Sequence, residues 1–234
     1  MRISVRITEV EQETSAVKCF QLDLCGHSFN FLPGQWLDCY LDKDESRGVA
    51  GYTITSPPPA KGLIELAVKL SEDNPVTKFL HQEAEIGDVL FIDGPHGSFY
   101  YKREMGDQVV LIARDIGITP MMSILRYIDG RYSEVKATLL YSAENPGQLI
   151  YKEELMEIGN KNPNIRCLFT VTGSSPEDWP VHIGEIDEEF IQRAGIDLNS
   201  IFLLCGPPPH IPKTVTTLRK LGVKESGIKY EEWW

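Results

Sequence analysis

Long apolar runs are missing from this 234-residue sequence. The strongest, Val109 to Ala113 and Ile201 to Cys205, have the length of a strand and fall far short of the roughly 18 residues that suggest a membrane-spanning helix. The first residues also lack the continuous apolar core of a secretion signal and the long acid-free amphipathic stretch of a transit peptide. We therefore expect a soluble intracellular protein with no membrane span, located in the cytoplasm, or in the mitochondrion if a leader has been removed.

Positive charge is scarce as well. Lysine and arginine together number 23 against 34 aspartate and glutamate residues, which gives a net charge of −11 at pH 7. The sequence has no long basic stripe that could follow a phosphate backbone. Nucleic acid is therefore not an expected partner.

Paired cysteines are also absent. The five cysteines are widely scattered, and no C-x-x-C pair is present to hold zinc, a redox disulfide or an iron–sulfur cluster. We expect reduced thiols and no metal site.

Apolar residues make up 42% of the sequence, which is enough to form a hydrophobic core, and the length favours two modest domains. Up to about residue 100, short alternating runs are separated by turn residues, which is typical of strands in a small barrel or sandwich. The predicted strands are Ile3–Ile7, Val17–Leu22, Gln35–Leu41, Gly51–Thr55, Leu63–Leu70 and Asp88–Ile92, with one helix at Pro75–Gln82 and a turn at Asp93–Gly97.

The second half alternates strands with helices, which predicts a parallel, doubly wound sheet. The predicted strands are Gln108–Ala113, Ala137–Ser142, Ile165–Val171, Ile201–Cys205 and Ile228–Trp233, and the predicted helices are Pro120–Ile128, Gln148–Ile158, Asp187–Ala194 and Lys213–Leu221. Thr119 is expected to cap the first of these helices, with Pro120 at its first position. The domains are predicted to span residues 1–104 and 105–234.

Two segments lie where such a sheet binds ligands, at the carboxyl ends of its strands. The turn Ala113–Pro120 offers backbone N–H groups and a helix dipole that suit a pyrophosphate, although a plain tight turn explains it equally well and no G-x-G-x-x-G is present. Cys205–His210 places a thiol beside glycine and three prolines. This segment is either functional or a rigid structural loop, and His210 is more simply a surface or capping residue than a proton shuttle.

Four segments together resemble the ferredoxin–NADP reductase family, in order, spacing and layout, over nearly the whole chain. They are Phe31–Gln35, Tyr52–Pro57, Gly117–Pro120 and Cys205–Pro209. Within that family the chain is most similar to the eukaryotic oxidoreductase NAD-binding domain-containing proteins, through segments that include Tyr141–Asn145 and the ending Tyr230–Trp234. The resemblance implies an FAD-binding six-stranded antiparallel barrel followed by an NAD-binding α/β domain.

In this family an Arg-x-Tyr-Ser/Thr motif holds FAD. By resemblance, Tyr52 packs on the flavin and Thr53 bonds near its N5, whereas Ala50 stands in the place of the arginine that pairs with the flavin pyrophosphate. Three further positions match backbone and hydroxyl groups around the flavin: Val68, Lys69 and Thr77. Asn74 replaces the glycine that usually precedes this hydroxyl, and Lys69 is a candidate to supply the missing charge.

In the second domain the family usually has two glycines where this chain has Arg114 and Asp115. The resemblance assigns to the dinucleotide site Gly117, Thr119, Pro120, Ser142, Glu144, Gly206 and Pro207. Cys205 corresponds to the family's cysteine beside the nicotinamide and, with Thr53, is the candidate catalytic residue. Trp234 is expected to shield the flavin, as aromatic chain ends do in relatives.

The charges predict NAD(H) in preference to NADP(H). Residues 170–178 contain no lysine or arginine to hold a 2′-phosphate, and Glu144 would accept hydrogen bonds from free ribose hydroxyls. The leading hypothesis is an NADH-dependent flavoprotein reductase with an external electron acceptor. Two alternatives are a degenerate family member that acts as a binding or regulatory protein, and an electron-transfer subunit whose acidic surface docks a basic partner.

Overall fold

The computed structural model describes residues 2–173 and 182–233. The chain forms two compact units. The first comprises Met1–Tyr101 with Met122–Ile124, and the second comprises Lys102–Met121 with Leu125–Trp234.

The first unit is an antiparallel six-stranded sheet in the order β4-β3-β6-β1-β2-β5. Its elements are β1 (Ile3–Thr14), β2 (Val17–Asp23), β3 (Trp36–Tyr40), β4 (Val49–Thr53), β5 (Leu63–Lys69), α1 (Pro75–Gln82) and β6 (Val89–His96). A bridge between Ile54 and Leu66 joins the two edges of the sheet. The predicted barrel and its helix are therefore confirmed.

The alternation that predicted these strands also builds the core of the barrel. Val5 and Ile7 of β1 and Phe20 and Leu22 of β2 are buried, while their neighbours along each strand are more exposed. These side chains belong to one apolar cluster that also includes residues of β3–β6 and α1. The barrel thus encloses its own hydrophobic core.

The predicted turn at Asp93–Gly97 is wrong, because β6 continues through Gly94 and Pro95 to His96. The pairing of β6 with β3 shifts register between Trp36 and Asp38. Such an irregularity accepts a proline, which has no N–H to give to the ladder.

The second unit is a six-stranded sheet in the order β10-β9-β8-β7-β11-β12, with all strands parallel. Its elements are β7 (Gln108–Arg114), α2 (Ile118–Arg131), β8 (Lys136–Ala143), α3 (Lys152–Lys161), β9 (Ile165–Val171), β10 (His182–Ile183), α4 (Glu188–Arg193), β11 (Ile201–Gly206), α5 (Ile211–Lys220) and β12 (Ile228–Glu232). The predicted parallel α/β fold is confirmed. The short edge strand β10 was not predicted.

All four helix starts in this unit differ from the prediction: α4 begins one residue later, at Glu188, and α5 two residues earlier, at Ile211. Helix α2 begins at Ile118, and Thr119 donates its hydroxyl to the Ile116 carbonyl at 2.9 Å instead of capping the helix. Pro120 is then the third helical residue, where its missing N–H costs nothing because the first-turn N–H groups have no partner inside the helix.

Helix α3 begins at Lys152, four residues later than the predicted Gln148. Pro146–Gln148 forms a separate short turn, in which the Asn145 side chain accepts from the Gly147 amide. Tyr151 then has a left-handed backbone, φ 58°, which separates this turn from the helix.

Among the described residues, no helix combines the length and the apolar character needed to cross a lipid bilayer.

Candidate functional site

In the first unit, a buried pair of hydroxyl groups lies between β4 and α1. Tyr52 is 8% exposed and Thr77 is 4% exposed, and their oxygens are 2.7 Å apart. Burial raises the pKa of Tyr52, so its hydroxyl keeps its proton. Thr53, at the end of β4, is also buried. The structure therefore brings together Tyr52 and Thr77, which lie far apart in the sequence.

The end of β5 lies against the same helix. The Val68 carbonyl accepts from Nε2 of His81 at 2.9 Å, and Lys18 donates to the His81 carbonyl at 2.8 Å. Burial, as the largest effect, lowers the pKa of His81, which favours a neutral ring. Val68 itself is buried, and the next residue, Lys69, is exposed. Val68 is thus fixed in the barrel wall, and Lys69 lies at the surface.

The N-terminus of α1 is capped by its own chain. The Asn74 side-chain oxygen accepts from the amides of Val76 and Thr77 at 2.9 and 3.1 Å. Its amide nitrogen donates to the Val49 carbonyl at 3.0 Å. Two N–H groups that could otherwise face a phosphate are therefore already bonded, which no feature of the resemblance predicted.

A positive charge that the sequence reasoning missed lies beside this helix. The Arg47 guanidinium is 5.4 Å from the centre of the Phe79 ring, on α1. A Cβ on the neighbouring Gly48 would come within 2.8 Å of Pro75, so the chain just before β4 touches the start of α1. Ala50 is buried in β4 opposite Cys39. Nothing in the Arg47 segment of the sequence identified this proximity in advance.

The chemistry of this donor set fits a flavin nucleotide. Tyr52, Thr53 and Thr77 carry uncharged hydroxyls, and Lys69 and Arg47 are exposed, positively charged side chains of the kind that phosphates require.

In the second unit, the end of β7 touches the end of β11. A Cβ on Gly117 would lie 2.2 Å from the Cys205 carbonyl oxygen, so only glycine fits there. Asp115 has φ 54°, a left-handed conformation that favours glycine, the residue that the resemblance places at this position. The Ile118 amide already donates to carbonyls in this turn. The turn thus has fewer free N–H groups than the sequence suggested.

Gly206 and Pro207 follow directly in the same corner. A Cβ on Gly206 would lie 3.1 Å from Cβ of Arg114, and the Pro207 carbonyl accepts from the His210 amide at 3.0 Å. Cys205 has no exposed surface. Burial, together with the nearby Glu231 carboxylate, raises the pKa of its thiol well above its ordinary value. Cys205 is therefore a neutral packing group and not a thiolate.

Glu144 lies just beyond β8 and is exposed. Its carbonyl accepts from the Gly173 amide at 2.7 Å, which joins the ends of β8 and β9. The Glu144 backbone is therefore held at the carboxyl edge of the sheet. Residues 174–178, which belong to the segment 170–178 without lysine or arginine, lie outside the described residues.

The Ser142 side chain lies in an unusual environment. It pairs in register with Arg114 across β8 and β7, and it is 1% exposed. Its hydroxyl has no hydrogen-bond partner among the residues that the structure describes. Arg114 beside it bonds to Glu185, a residue that no sequence motif indicated. An unsatisfied buried hydroxyl next to an arginine fits a phosphate-bearing nucleotide.

The chain end approaches this edge as well. The Trp233 amide donates to the Gly206 carbonyl at 3.2 Å, and its indole N–H donates to Glu231 at 3.0 Å. Trp233 thus packs beside β11. The predicted shielding residue, Trp234, lies outside the described residues.

Comparisons with known proteins match both halves of the chain. Residues 4–101 match the family described as "Oxidoreductase FAD-binding domain", and residues 111–216 match "Oxidoreductase NAD-binding domain". The chain is 32% identical to oxidoreductase NAD-binding domain-containing protein 1 of Danio rerio, over 99% of this chain and 92% of that protein. It is 29% identical to the glycine betaine monooxygenase reductase subunit of Chromohalobacter salexigens, over 99% of this chain and 64% of that protein.

A solved structure is also similar to this chain over nearly its whole length. The flavohem-like FAD/NAD-binding domain of nitric oxide dioxygenase from Vibrio cholerae superposes with a TM-score of 0.86 at 25% identity. The match covers 99% of this chain and 98% of that domain.

Proposed function

Because the chain belongs to the ferredoxin–NADP reductase family of FAD- and NAD-binding oxidoreductases, we propose that it is an NADH-dependent flavoprotein reductase with an external electron acceptor. The observation that carries the proposal lies at the carboxyl edge of the parallel sheet, where Arg114 is the register partner of Ser142 and the Ser142 hydroxyl is unsatisfied. The same chain also has the hydroxyl cluster around α1. Each feature suits one of the two nucleotides.

On the flavin side, Tyr52 offers an aromatic ring fixed by its hydrogen bond to Thr77. Thr53 is the hydroxyl donor assigned to the reacting end of the flavin, and the Val68–Lys69 segment borders it. Lys69 and Arg47 supply charge to the phosphates in place of the arginine that Ala50 replaces. These residues would bind and orient FAD, which would supply the hydride-accepting and electron-transfer chemistry.

On the nicotinamide side, Arg114 supplies a forked donor for the pyrophosphate. The backbone contact between Gly117 and Cys205 is proposed as the floor of the site, to which the resemblance also assigns Thr119, Pro120, Gly206 and Pro207. Cys205 is assigned to the nicotinamide site as a buried, uncharged side chain, since its thiol keeps its proton.

Charge at the edge of the sheet favours NADH over NADPH. The exposed Glu144 carboxylate accepts from ribose hydroxyls and repels a 2′-phosphate. The sequence from 170 to 178 supplies no lysine or arginine to offset that repulsion.

The acceptor is proposed to be a separate protein, because the sequence has no cysteine pairs to hold a cluster of its own. One relative is named as the reductase subunit of a monooxygenase, which supports a protein acceptor. With a net charge of −11, docking is expected to favour a basic partner and to weaken with salt.

The test is to purify the full chain, record its visible absorbance, and titrate it with FAD. We expect flavin to be retained or taken up, and its absorbance to be bleached faster by NADH than by NADPH under anaerobic conditions. Glu144→Arg is expected to reverse that preference, while Glu153→Arg, with the same charge change at an exposed position on α3, leaves it intact. A colourless protein that takes up no FAD would overturn the proposal.

The capped N-terminus of α1 favours one alternative, a binding or regulatory protein that keeps the fold without the flavin. Asn74 already uses the amides of Val76 and Thr77, and Ala50 supplies no charge. Under this alternative neither FAD uptake nor NADH-dependent bleaching occurs, so the same experiment separates the two functions.

A further inference from the structure

A charged cluster surrounds a small cavity at the carboxyl edge of the parallel sheet. The Arg114 guanidinium donates to the Glu185 carboxylate at 3.1 Å and to the Thr172 hydroxyl at 3.3 Å. Nδ1 of His210 lies 3.6 Å from the same Glu185 oxygen. The Arg114 side chain is 18% exposed and that of Glu185 is 37% exposed, so solvent reaches the pair from the carboxylate side.

The cavity has a partly polar lining, in which one polar group is unsatisfied. It has a volume of about 20 Å³ and is lined by Arg114, Ser142, Glu185, Cys205 and His210, among others. The Ser142 hydroxyl is buried there without a partner among the described residues. A buried donor left unpaired is costly, and a space of this size holds no more than about one water. The hydroxyl is thus suited to a partner from outside the chain.

The cluster also lies at the point where the strand order reverses. Strand β7 has β8 on one side and β11 on the other, and the chain continues from β8 to β9 and from β11 to β12 in opposite directions. Ligands of open α/β sheets bind at the carboxyl ends of the strands at such a point. Arg114 is the last residue of β7, and Ser142 is its register partner in β8.

Glu185 therefore bonds to Arg114, the group in this cluster that is best suited to a phosphate. A carboxylate and a phosphate oxygen use the same fork of an arginine, so they compete for it. Glu185 also has a second neighbour, His210, which can still partner its carboxylate when a ligand takes Arg114.

We propose that Glu185 acts as an internal competitor at the dinucleotide site: its carboxylate holds Arg114 in the free protein, and the pyrophosphate of the dinucleotide must displace it. The Ser142 hydroxyl then bonds to the same ligand. This inference rests on the proposed nicotinamide site, and it makes Glu185 a residue that sets the affinity of the site for phosphate-bearing ligands.

The experiment measures binding of ADP-ribose, which carries the pyrophosphate without the nicotinamide, to the full chain by calorimetry. Glu185→Gln removes the competing charge with little change in shape, and we expect it to bind ADP-ribose about tenfold more tightly than the wild type. The matched control is Glu188→Gln, which removes an exposed carboxylate from the first turn of α4 and is expected to change nothing.

Two further arms identify the cause. Arg114→Lys keeps the charge but loses the fork, so adding Glu185→Gln to it is expected to give less than the tenfold gain. Adenosine, which has no phosphate, is expected to bind equally to the wild type and to Glu185→Gln. Equal unfolding temperatures for all variants establish that they are folded.

The outcomes separate the inference from the proposed function. If the wild type binds ADP-ribose and Glu185→Gln binds it no better, the competition is refuted while the nicotinamide site stands. If adenosine gains as much as ADP-ribose, the competition with phosphate is likewise refuted. If neither the wild type nor Glu185→Gln binds ADP-ribose or NADH, the nicotinamide site itself is refuted, and the inference with it.

Discussion

Gly117 and Cys205 meet backbone to backbone: a Cβ on Gly117 would lie 2.2 Å from the Cys205 carbonyl oxygen and 2.5 Å from its carbon. This contact joins the turn after β7 to the end of β11 at the point where the strand order reverses. The clashing atoms are backbone, so they cannot move aside as a flexible side chain would.

Gly117→Ala is therefore expected to lower the free energy of unfolding by about 3 kcal/mol, the upper range for overpacking, because the two strand ends must separate. Denaturant unfolding measures the change. The control is Gly130→Ala on α2, where a Cβ meets nothing within 4 Å. It is expected to stabilise the helix by up to about 1 kcal/mol. Equal stability of Gly117→Ala and the wild type would contradict the contact.

Because the buried hydroxyls of Tyr52 and Thr77 bond to each other, we expect that removing one changes the cost, in free energy of unfolding, of removing the other. Tyr52→Phe and Thr77→Val each leave one buried hydroxyl without this bond, and each is expected to cost about 1–2 kcal/mol. The double variant should cost less than the sum, since it removes both groups. Tyr230→Phe, at a residue 53% exposed, is the control and is expected to have no effect. Strict additivity of the two single variants would count against the pair.

Ala50 occupies the position where the resemblance places a phosphate-binding arginine. Ala50→Arg is expected to tighten FAD binding about ten- to a hundredfold, since one charged hydrogen bond contributes about 1.5–3 kcal/mol. Fluorescence titration of the apoprotein with FAD measures the change. Ile86→Arg adds the same charge at a residue 68% exposed and is expected to leave the affinity unchanged.

Ala50 is buried, so the unfolding temperature of the apoprotein must be measured beside the affinity. Ala50→Lys supplies the charge on a more flexible side chain if arginine lowers that temperature. A folded variant with unchanged FAD affinity would show that the flavin phosphates lie elsewhere.

The buried thiol of Cys39 predicts a loss of stability in alkaline solution. Burial, the largest effect, raises its pKa from the ordinary 9.0 to about 12, and the nearby Asp38 acts in the same direction. Between these values the folded protein keeps a proton that the unfolded chain loses. Stability therefore falls as the pH rises through this window, by at most about 1.4 kcal/mol per pH unit.

Denaturant unfolding at several pH values from about 8 upward measures this slope. Cys39→Ala is expected to make the slope shallower, whatever it does to the stability near neutral pH. Cys25→Ala, at an exposed cysteine, is the control and is expected to leave the slope unchanged. A Cys39→Ala slope as steep as that of the wild type would contradict the burial effect.

The periodicity of the sequence was sufficient to predict both sheets of the fold, the antiparallel barrel and the parallel sheet. Alternation in Ile3, Val5 and Ile7 and the buried run Val109–Ala113 reflect only which face of a strand meets the core, and that information is local. Helix α1 was predicted with its bounds because Pro75 and the apolar residues that follow define it without help from the rest of the chain.

The start of α2 could not be obtained in this way. The sequence Thr119-Pro120 is a typical cap, yet Gly117 must contact Cys205, which is distant in the chain, and this contact sets where the turn ends and the helix begins. The continuation of β6 past Gly94 and Pro95 likewise depends on a register shift against β3.

The sequence alone determined the two-part architecture, the resemblance to a flavoprotein reductase family and the scarcity of cations where phosphates are expected. Only the tertiary structure decided how those positions are occupied: Asn74 fills the end of α1, Arg47 lies beside it, and Glu185 holds Arg114. The physical reason is that propensity and periodicity act over a few residues. Hydrogen bonds and ion pairs between residues as far apart as Arg114 and Glu185 form only once the strands have been placed side by side.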